Sequence, residues 1–483
     1  MAPTPQQTNL RKEMGLGDLV LAQVLCVVGS GWVGVAAKLG RAHVLFWLVA
    51  MLTFYLPLAA VVIYLNRLMP LEGGLYRWAK EGFGEIAGFL AAWNLWVYAV
   101  VVTGGIIFVV PTDLFYMVGT SAAWIPSNKL ATLMLTGAVM AGITLVAIRG
   151  LKISKWLHNG GSVLILTAYV ILLGLPVWAL VRGSIHRFEP LPLKMPRLDW
   201  FSLAVFGQMC VGALSGFEYV AILAGECRSA AQTIGRSVMI SAPAISLMFI
   251  LGTSSVLAFL DGQPINVIGP GPIPQTMRAA LGVSGPAAWA APFAVFLLIG
   301  RAVASASLIF TGLTRLPMTA GWDNLAPRWF SKLHPQWRTP VHSILFMSGL
   351  VMAFILLSML GVKEQEASQV LTAASVIHYA IAYVMLFALP LMGQRALRSR
   401  LPMWLKIAAA AGLVASSVSL FVGVYPIVDV VSKEEYAVKI SSAVVISNMV
   451  GVLVYRWGRQ AGSRPTSERR GPPVDQREGT GRS

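Results

Sequence analysis

The chain has 483 residues, of which 56% are hydrophobic and only 12% charged, whereas ordinary soluble domains carry about 25% charged residues. A net charge of +17 and a pI near 10.1 would suit a nucleic-acid binder in a soluble protein; with a mean hydropathy of +0.70 they fit basic loops beside a bilayer better. Composition therefore excludes a disordered chain, a disulfide scaffold and a two-domain cytosolic enzyme, and predicts an all-α polytopic membrane protein.

In chain order, an N-terminal arm (residues 1–17) precedes apolar runs separated by charged or Pro/Gly-rich breaks. At ~20 residues per crossing, these runs predict twelve spans. They cover 18–38, 43–66, 86–111, 130–148, 157–181, 200–225, 236–260, 286–314, 341–361, 368–392, 403–426 and 437–457. Residues 458–483, rich in Arg, Pro, Gly and Ser, read as a disordered tail. With the N-terminus inside, 25 of the 37 Lys and Arg fall on the inner side, 11 on the outer side, and Arg301 lies within a span. That bias predicts an even number of spans and both termini in the cytoplasm of a multi-pass cell (plasma or inner) membrane protein. The three cysteines, Cys26, Cys210 and Cys227, lie in or beside apolar stretches and suggest no disulfide framework.

Span 1 contains Gly29-Ser30-Gly31 at its middle, an expensive sequence for a continuous helix. Close helix packing through Gly31-x-x-Gly34 is one reading, and a discontinuous helix lining a cavity is the other. Span 6 repeats the pattern in Gly212-Ala213-Leu214-Ser215-Gly216-Phe217-Glu218, now with a carboxylate. Five spans separate the two interruptions, the spacing expected of two inverted repeats, 18–181 and 200–392, followed by two further spans within 403–457. Beyond a break, a new half-helix offers unpaired N–H groups and a positive dipole end that suit a carboxylate. Before it, free carbonyls suit an ammonium. The predicted substrate site therefore comprises Val27, Gly29, Ser30, Gly31, Leu214, Ser215, Gly216, Phe217 and Glu218, with the carboxylate near Ser30 and Gly31 and the ammonium near the carbonyls of Val27 and Leu214.

These residues resemble the amino acid–polyamine–organocation superfamily of secondary transporters, whose five-plus-five inverted-repeat fold is also known from LeuT. The resemblance rests on Gly29-Ser30-Gly31, on Glu72-Gly73-Gly74-Leu75-Tyr76-Arg77-Trp78 with Phe83-Gly84, and on Gly88-Phe89 with Trp93-Asn94-Leu95-Trp96. It continues through Ser215-Gly216-Phe217-Glu218 to Glu226 and Thr233, then from Arg315 through Asn324-Leu325-Ala326-Pro327 to Thr339-Pro340-Val341. It spans about residues 14–457 and implies substrate binding at two broken helices, alternating access, and amino acids or related amines as cargo. Two departures stand out. Some exchangers of this kind carry a gating Trp where this chain has Gly212, and some proton-coupled members carry a lysine in span 5, which Ser162 to Thr167 lacks.

Among single residues, Glu218 is the only acid read as deep within a span, where function is the default expectation; a structural role on broken backbone is the alternative. Arg301 reads either as a snorkelling or carbonyl-paired cation, or as a built-in cation where sodium-driven relatives hold an ion. Ser305 or Ser307 would help to bind sodium if there is any. His378 is a candidate protonatable gate or a structural histidine. His158, beside Lys155 and Trp156, and the pair Trp93 and Trp96 read as interfacial residues. Residues 261–274 read as an outer loop over the vestibule.

The leading expectation is a secondary active permease for amino acids, with H+ coupling, Na+ coupling and exchange all open. A polyamine or organic-cation carrier is the rival, and it calls for more than one buried carboxylate. A channel or a nutrient sensor on a transporter scaffold is a further alternative. No His-Glu-x-x-His, Gly-x-Ser-x-Gly or P-loop occurs, so no enzyme, metal, cofactor or nucleic-acid partner is expected. The partners expected are a small-molecule substrate and the lipid bilayer, and oligomeric state is not legible.

Overall fold

The computed structural model describes residues 14–69, 74–195, 197–217, 227, 230–265, 267, 271–314, 330, 332–359, 364–394, 401–427, 430 and 432–462. Glu72, Gly73, Glu218, Glu226 and residues 315–329 of the motifs above lie outside the described residues, as do 1–13 of the arm and 463–483 of the tail. The chain begins with α1 (Leu16–Val27) and α2 (Ser30–Ala37), which meet at a 45° bend. Next come α3 (Gly40–Leu68), α4 (Leu75–Phe83), α5 (Glu85–Phe108), α6 (Val110–Val118), α7 (Lys129–Arg149) and α8 (Leu151–Val181). Then follow α9 (Trp200–Ala213), α10 (Ala230–Leu260), α11 (Pro272–Leu281) and α12 (Ala290–Thr314). The order closes with α13 (Val341–Ser358), α14 (Glu364–Met392), α15 (Met403–Val422) and α16 (Lys433–Gly462).

Among the described residues, nine stretches have the length and hydropathy of a membrane span, with α5 and α6 together forming one of them. The bent α1–α2 pair makes a tenth, and α9 and α13 are shorter apolar helices. The described residues thus form the all-helical fold of a multi-pass membrane protein.

Local chemistry fixes several helix starts. The backbone N–H of Gly15 donates to Asp18 Oδ2 at 3.0 Å ahead of α1. Asn128 Oδ1 accepts from the N–H groups of Leu130 and Ala131 and caps α7. Asp199 and Ser202 form a reciprocal capping box at α9. One expectation fails at α6. Pro111 reads as the end of span 3 at residue 111, but the helical stretch continues to Val118. Proline is tolerated in a first helical turn because its missing N–H would have no intrahelical acceptor there.

Small residues set the close crossings, as expected where lipid gives helices no hydrophobic drive to associate. Gly161 of α8 lies so near Ala304 of α12 that a Cβ would overlap it, and Gly412 of α15 receives the ring of Phe387 of α14. Helix α1 is tied to α10 by polar side chains: Gln23 Nε2 donates to Ser237 Oγ at 3.0 Å, and Ser241 Oγ donates to Gln23 Oε1.

Three residues expected at the interface are buried instead. Trp93 and Trp96 are each 7% exposed, and the Trp93 indole N–H donates to the Ser447 carbonyl of α16 at 3.0 Å. His158 is buried with Nε2 3.3 Å from Ser307 Oγ on α12. Its neighbour Trp156 is exposed, since two residues along a helix turn about 200°. Among the described residues, Trp124, Trp156, Trp178, Trp200, Trp289, Trp337, Trp404 and Trp457 are exposed, as an aromatic belt would have them.

Candidate functional site

The two glycine-rich segments are both interrupted. Between α1 and α2, Val28 and Gly29 adopt extended backbone, with φ −78° and −114°. In α9 the helix widens to π-type hydrogen bonding over Gln208–Ala213 and then gives way at Leu214–Gly216. Gly216 has φ +125°, a conformation open to glycine and strained for other residues. The interruptions touch: a Cβ on Gly216 would lie 3.1 Å from Cys26 Sγ and 3.3 Å from a methyl of Val27.

Freed backbone groups at the breaks find side-chain partners, as burial requires. The Leu25 carbonyl accepts from Arg301 Nη2 at 3.3 Å and from Ser305 Oγ at 3.4 Å, both on α12. The Gly29 carbonyl accepts from the Tyr169 hydroxyl at 3.4 Å. On the other break, the Gly216 N–H donates to the Tyr383 hydroxyl at 3.2 Å. Phe217 beyond it stacks on Tyr55, ring centroids 4.8 Å apart.

A cavity of about 260 Å³ opens on the first break. Of the residues predicted for the site, Gly29, Ser30, Gly31, Arg301 and Ser305 line it. Val27, Leu214, Ser215, Gly216 and Phe217 are buried and do not, so the expected ammonium position at Val27 and Leu214 is not on the cavity wall. Gly216 is closed off by Cys26 and Val27, which explains the difference. Ser307 faces His158 instead of the cavity. His378 is 2% exposed, with Nδ1 2.8 Å from Asn94 Oδ1; Asn94 in turn donates to Asn448 Oδ1 at 2.8 Å, an amide-bonded structural cluster away from the cavity. Glu218 lies outside the described residues.

Several wall residues carry no signal in the sequence. Trp32 fills the gap between the two breaks: a Cβ on Gly29 would lie 2.7 Å from its Cδ1, and a Cβ on Gly212 would lie 2.5 Å from its Cη2. Both glycines are therefore required by one indole. The same Cβ on Gly29 would stand 3.7 Å from Arg301 Nη2, so the guanidinium reaches the break itself. Arg301 Nε is buried without a hydrogen-bond partner among the described residues. Asp113, in the first turn of α6, also lines the cavity and is 6% exposed. It corrects the expectation that Glu218 is the only acid deep within a span; the error came from ending span 3 at Pro111. From the 261–274 loop, Val267 joins the wall, and Gly271 lies beside Ser30 and Gly31.

The arrangement offers a small, mixed polar and apolar chamber with a half-helix start, one cation and one carboxylate on its wall. No group of His, Cys, Asp or Glu that could hold a metal occurs among the described residues. Comparison with known proteins agrees with this picture. The sequence profile of the amino acid permease family matches residues 18–454. An uncharacterized transporter of Legionella pneumophila is 25% identical over 78% of this chain and 80% of its own. A probable agmatine/putrescine antiporter, AguD of Lactococcus lactis, is 21% identical over 78% of this chain and 79% of its own. The glutamate/serine transporter AimA of Bacillus subtilis is 24% identical over 87% of this chain and 79% of its own. With an interrupted first helix beside an internal chamber and a family match over nearly its whole length, the chain belongs to the amino acid permeases of the amino acid–polyamine–organocation superfamily, and it is a membrane transporter, not an enzyme.

Proposed function

We propose that this permease carries an amino acid by alternating access, with the cargo carboxylate held at Gly29, Ser30 and Gly31. The observation that carries the reading is the contact of two helix interruptions beside a chamber onto which the start of α2 opens. A half-helix start attracts an anion through its unpaired N–H groups and dipole. Arg301, whose guanidinium reaches the same break and retains an unpartnered Nε–H among the described residues, adds a full positive charge. Ser215, Gly216 and Phe217 would act as a hinge behind the site, while Glu218 keeps the coupling or gating role expected of an ionisable residue deep within a span. The relatives' names range from agmatine/putrescine to glutamate/serine, so cargo is inferred from the chamber and not from them.

In this reading the chain crosses the cell membrane twelve times. Residues 18–181 and 200–392 form inverted repeats, two helices follow within 403–457, and the 1–17 arm and 458–483 tail are cytoplasmic. Arg301 substitutes for a metal cation at the Leu25 carbonyl, which Ser305 shares. Ser307 and His378, bonded to His158 and Asn94, are given structural roles in this reading.

Uptake by purified protein in liposomes tests the whole reading. Preloaded amino acid should drive counterflow of labelled cargo, which a pore cannot do. Transport should respond to a proton gradient or to exchange and ignore sodium. Arg301→Ala should reduce uptake ~10- to 100-fold, the loss of one charge-assisted contact of ~1.5–3 kcal/mol. Strong sodium dependence in the wild type would remove the built-in cation from the scheme, and absence of counterflow would remove the carrier.

A further inference from the structure

Helix α16 is the least embedded of the long spans: 17% of its apolar window is buried, against 33% to 67% in the others. Its two halves are seated differently. The first half closes on α14, where Tyr436, Ile440 and Val444 pack with Ala373 and Ile377. Beyond Val444 the fixings are to α5. There the Ser447 carbonyl accepts from Trp93 Nε1 at 3.0 Å, Asn448 exchanges amide bonds with Asn94, and Arg459 stands 3.9 Å from Glu85.

Between this second half, Leu90 of α5 and Ile381 of α14 lies an open groove of about 570 Å³. Its α16 wall runs from Val444 to Arg456, about 18 Å of helix, and is mainly Val, Met and Leu. One leaflet of bilayer hydrocarbon is about 15 Å deep. Arg456 is the charged residue on this lining, at the end towards the C-terminus. It is exposed and has no hydrogen bond or ion pair among the described residues, whereas Arg459 is engaged by Glu85 and by the Tyr455 hydroxyl.

An apolar slot one leaflet long, with a free guanidinium at head-group depth, has the chemistry of a site for a single phospholipid of net negative charge. An acyl chain fills the slot and the phosphate takes the guanidinium. A second copy of this chain suits the charge less well, because a two-fold contact along α16 would set each Arg456 at the depth of the other. Residues 463–483 contain no apolar run to fill the slot.

We propose that this groove binds one anionic phospholipid from the leaflet at the Arg456 end, and that the bound lipid braces α14 against α16. Ile381 lines the groove, and Tyr383, two residues further along α14, takes the Gly216 N–H at the second break. The lipid thus steadies the helix that finishes that break. The proposal does not depend on the identity of the cargo.

The test uses the purified full chain in detergent, with phosphatidylglycerol or phosphatidylcholine of identical acyl chains added. Thermal unfolding and native mass spectrometry provide the readouts. Phosphatidylglycerol should raise the melting temperature more than phosphatidylcholine and stay bound as one molecule per chain. Arg456→Gln should weaken phosphatidylglycerol binding ~5-fold, the share of one basic residue beside anionic lipid, and leave phosphatidylcholine binding unchanged. Arg459→Gln should keep most of the wild-type affinity. Leu453→Trp, which fills the groove from an exposed position, should lose the bound phosphatidylglycerol although both arginines remain. Equal stabilisation by the two lipids would overturn the inference. So would equal losses in the Arg456 and Arg459 variants, because diffuse surface attraction does not distinguish them. A dimer that Leu453→Trp disrupts and phosphatidylglycerol does not displace would overturn it in favour of a second copy.

Discussion

The two helix interruptions look alike in composition yet are finished differently. At the first, Arg301 and Ser305 reach across from α12 to the Leu25 carbonyl, and the start of α2 opens on a chamber. At the second, the backbone absorbs much of its own disruption: the Leu214 N–H reaches back to the carbonyls of both Met209 and Cys210, and the Tyr383 hydroxyl takes the Gly216 N–H. Gly216 is then sealed behind Cys26 and Val27. A pair of breaks is thus not a symmetric clamp. The first borders the chamber with a half-helix start and Arg301 beside it, and the second is a buried joint packed against Cys26 and Val27 of the first.

The largest expected effect tests the joint. Gly216→Ala combines a φ of +125° with a Cβ 3.1 Å from Cys26 Sγ, so it should destabilise the protein by ~1–3 kcal/mol. Uptake should vanish, and thermal unfolding in detergent should show the loss directly. A variant with wild-type melting would mean that the joint has room to rearrange. Next comes Gly212→Ala, which pushes a methyl into Trp32 of α2 at 2.5 Å. Overpacking of that kind costs about 1–3 kcal/mol or displaces the ring. Pairing it with Trp32→Phe should recover part of the loss, and a double-mutant cycle showing no coupling would deny the contact its importance. Smallest is Tyr383→Phe, which removes the acceptor of the Gly216 N–H and should cost on the order of 1 kcal/mol of stability. If it impairs uptake more than Arg301→Ala does, the division between binding break and buried joint is wrong.

Much of this was legible because it is written locally. Gly29-Ser30-Gly31 and Leu214-Ser215-Gly216 announce poor helix in apolar surroundings, and length and hydropathy locate the helices. What was not legible depends on neighbours far away in sequence. Gly212 reads as an absent tryptophan, but Trp32, 180 positions earlier, occupies the space beside it. His158 and Trp93 look interfacial from their flanking residues, but which face of a helix meets another helix is decided by Ser307 and Ser447, on partners that no local window contains. Asp113 was hidden for another reason. Proline normally ends a helical reading, and here Pro111 begins a helix.

Trp32 has a mechanical consequence. Its ring is gripped on one edge by Gly29 and on another by Gly212, and those glycines belong to different halves of the sequence. Any swivel that changes the gap between α2 and α9 must therefore carry the indole with it, sweeping a large flat plate through the chamber it borders. On the proposed alternating-access reading, cargo too bulky to share the chamber with that plate would jam the swivel, and a single aromatic ring would set an upper size on what passes.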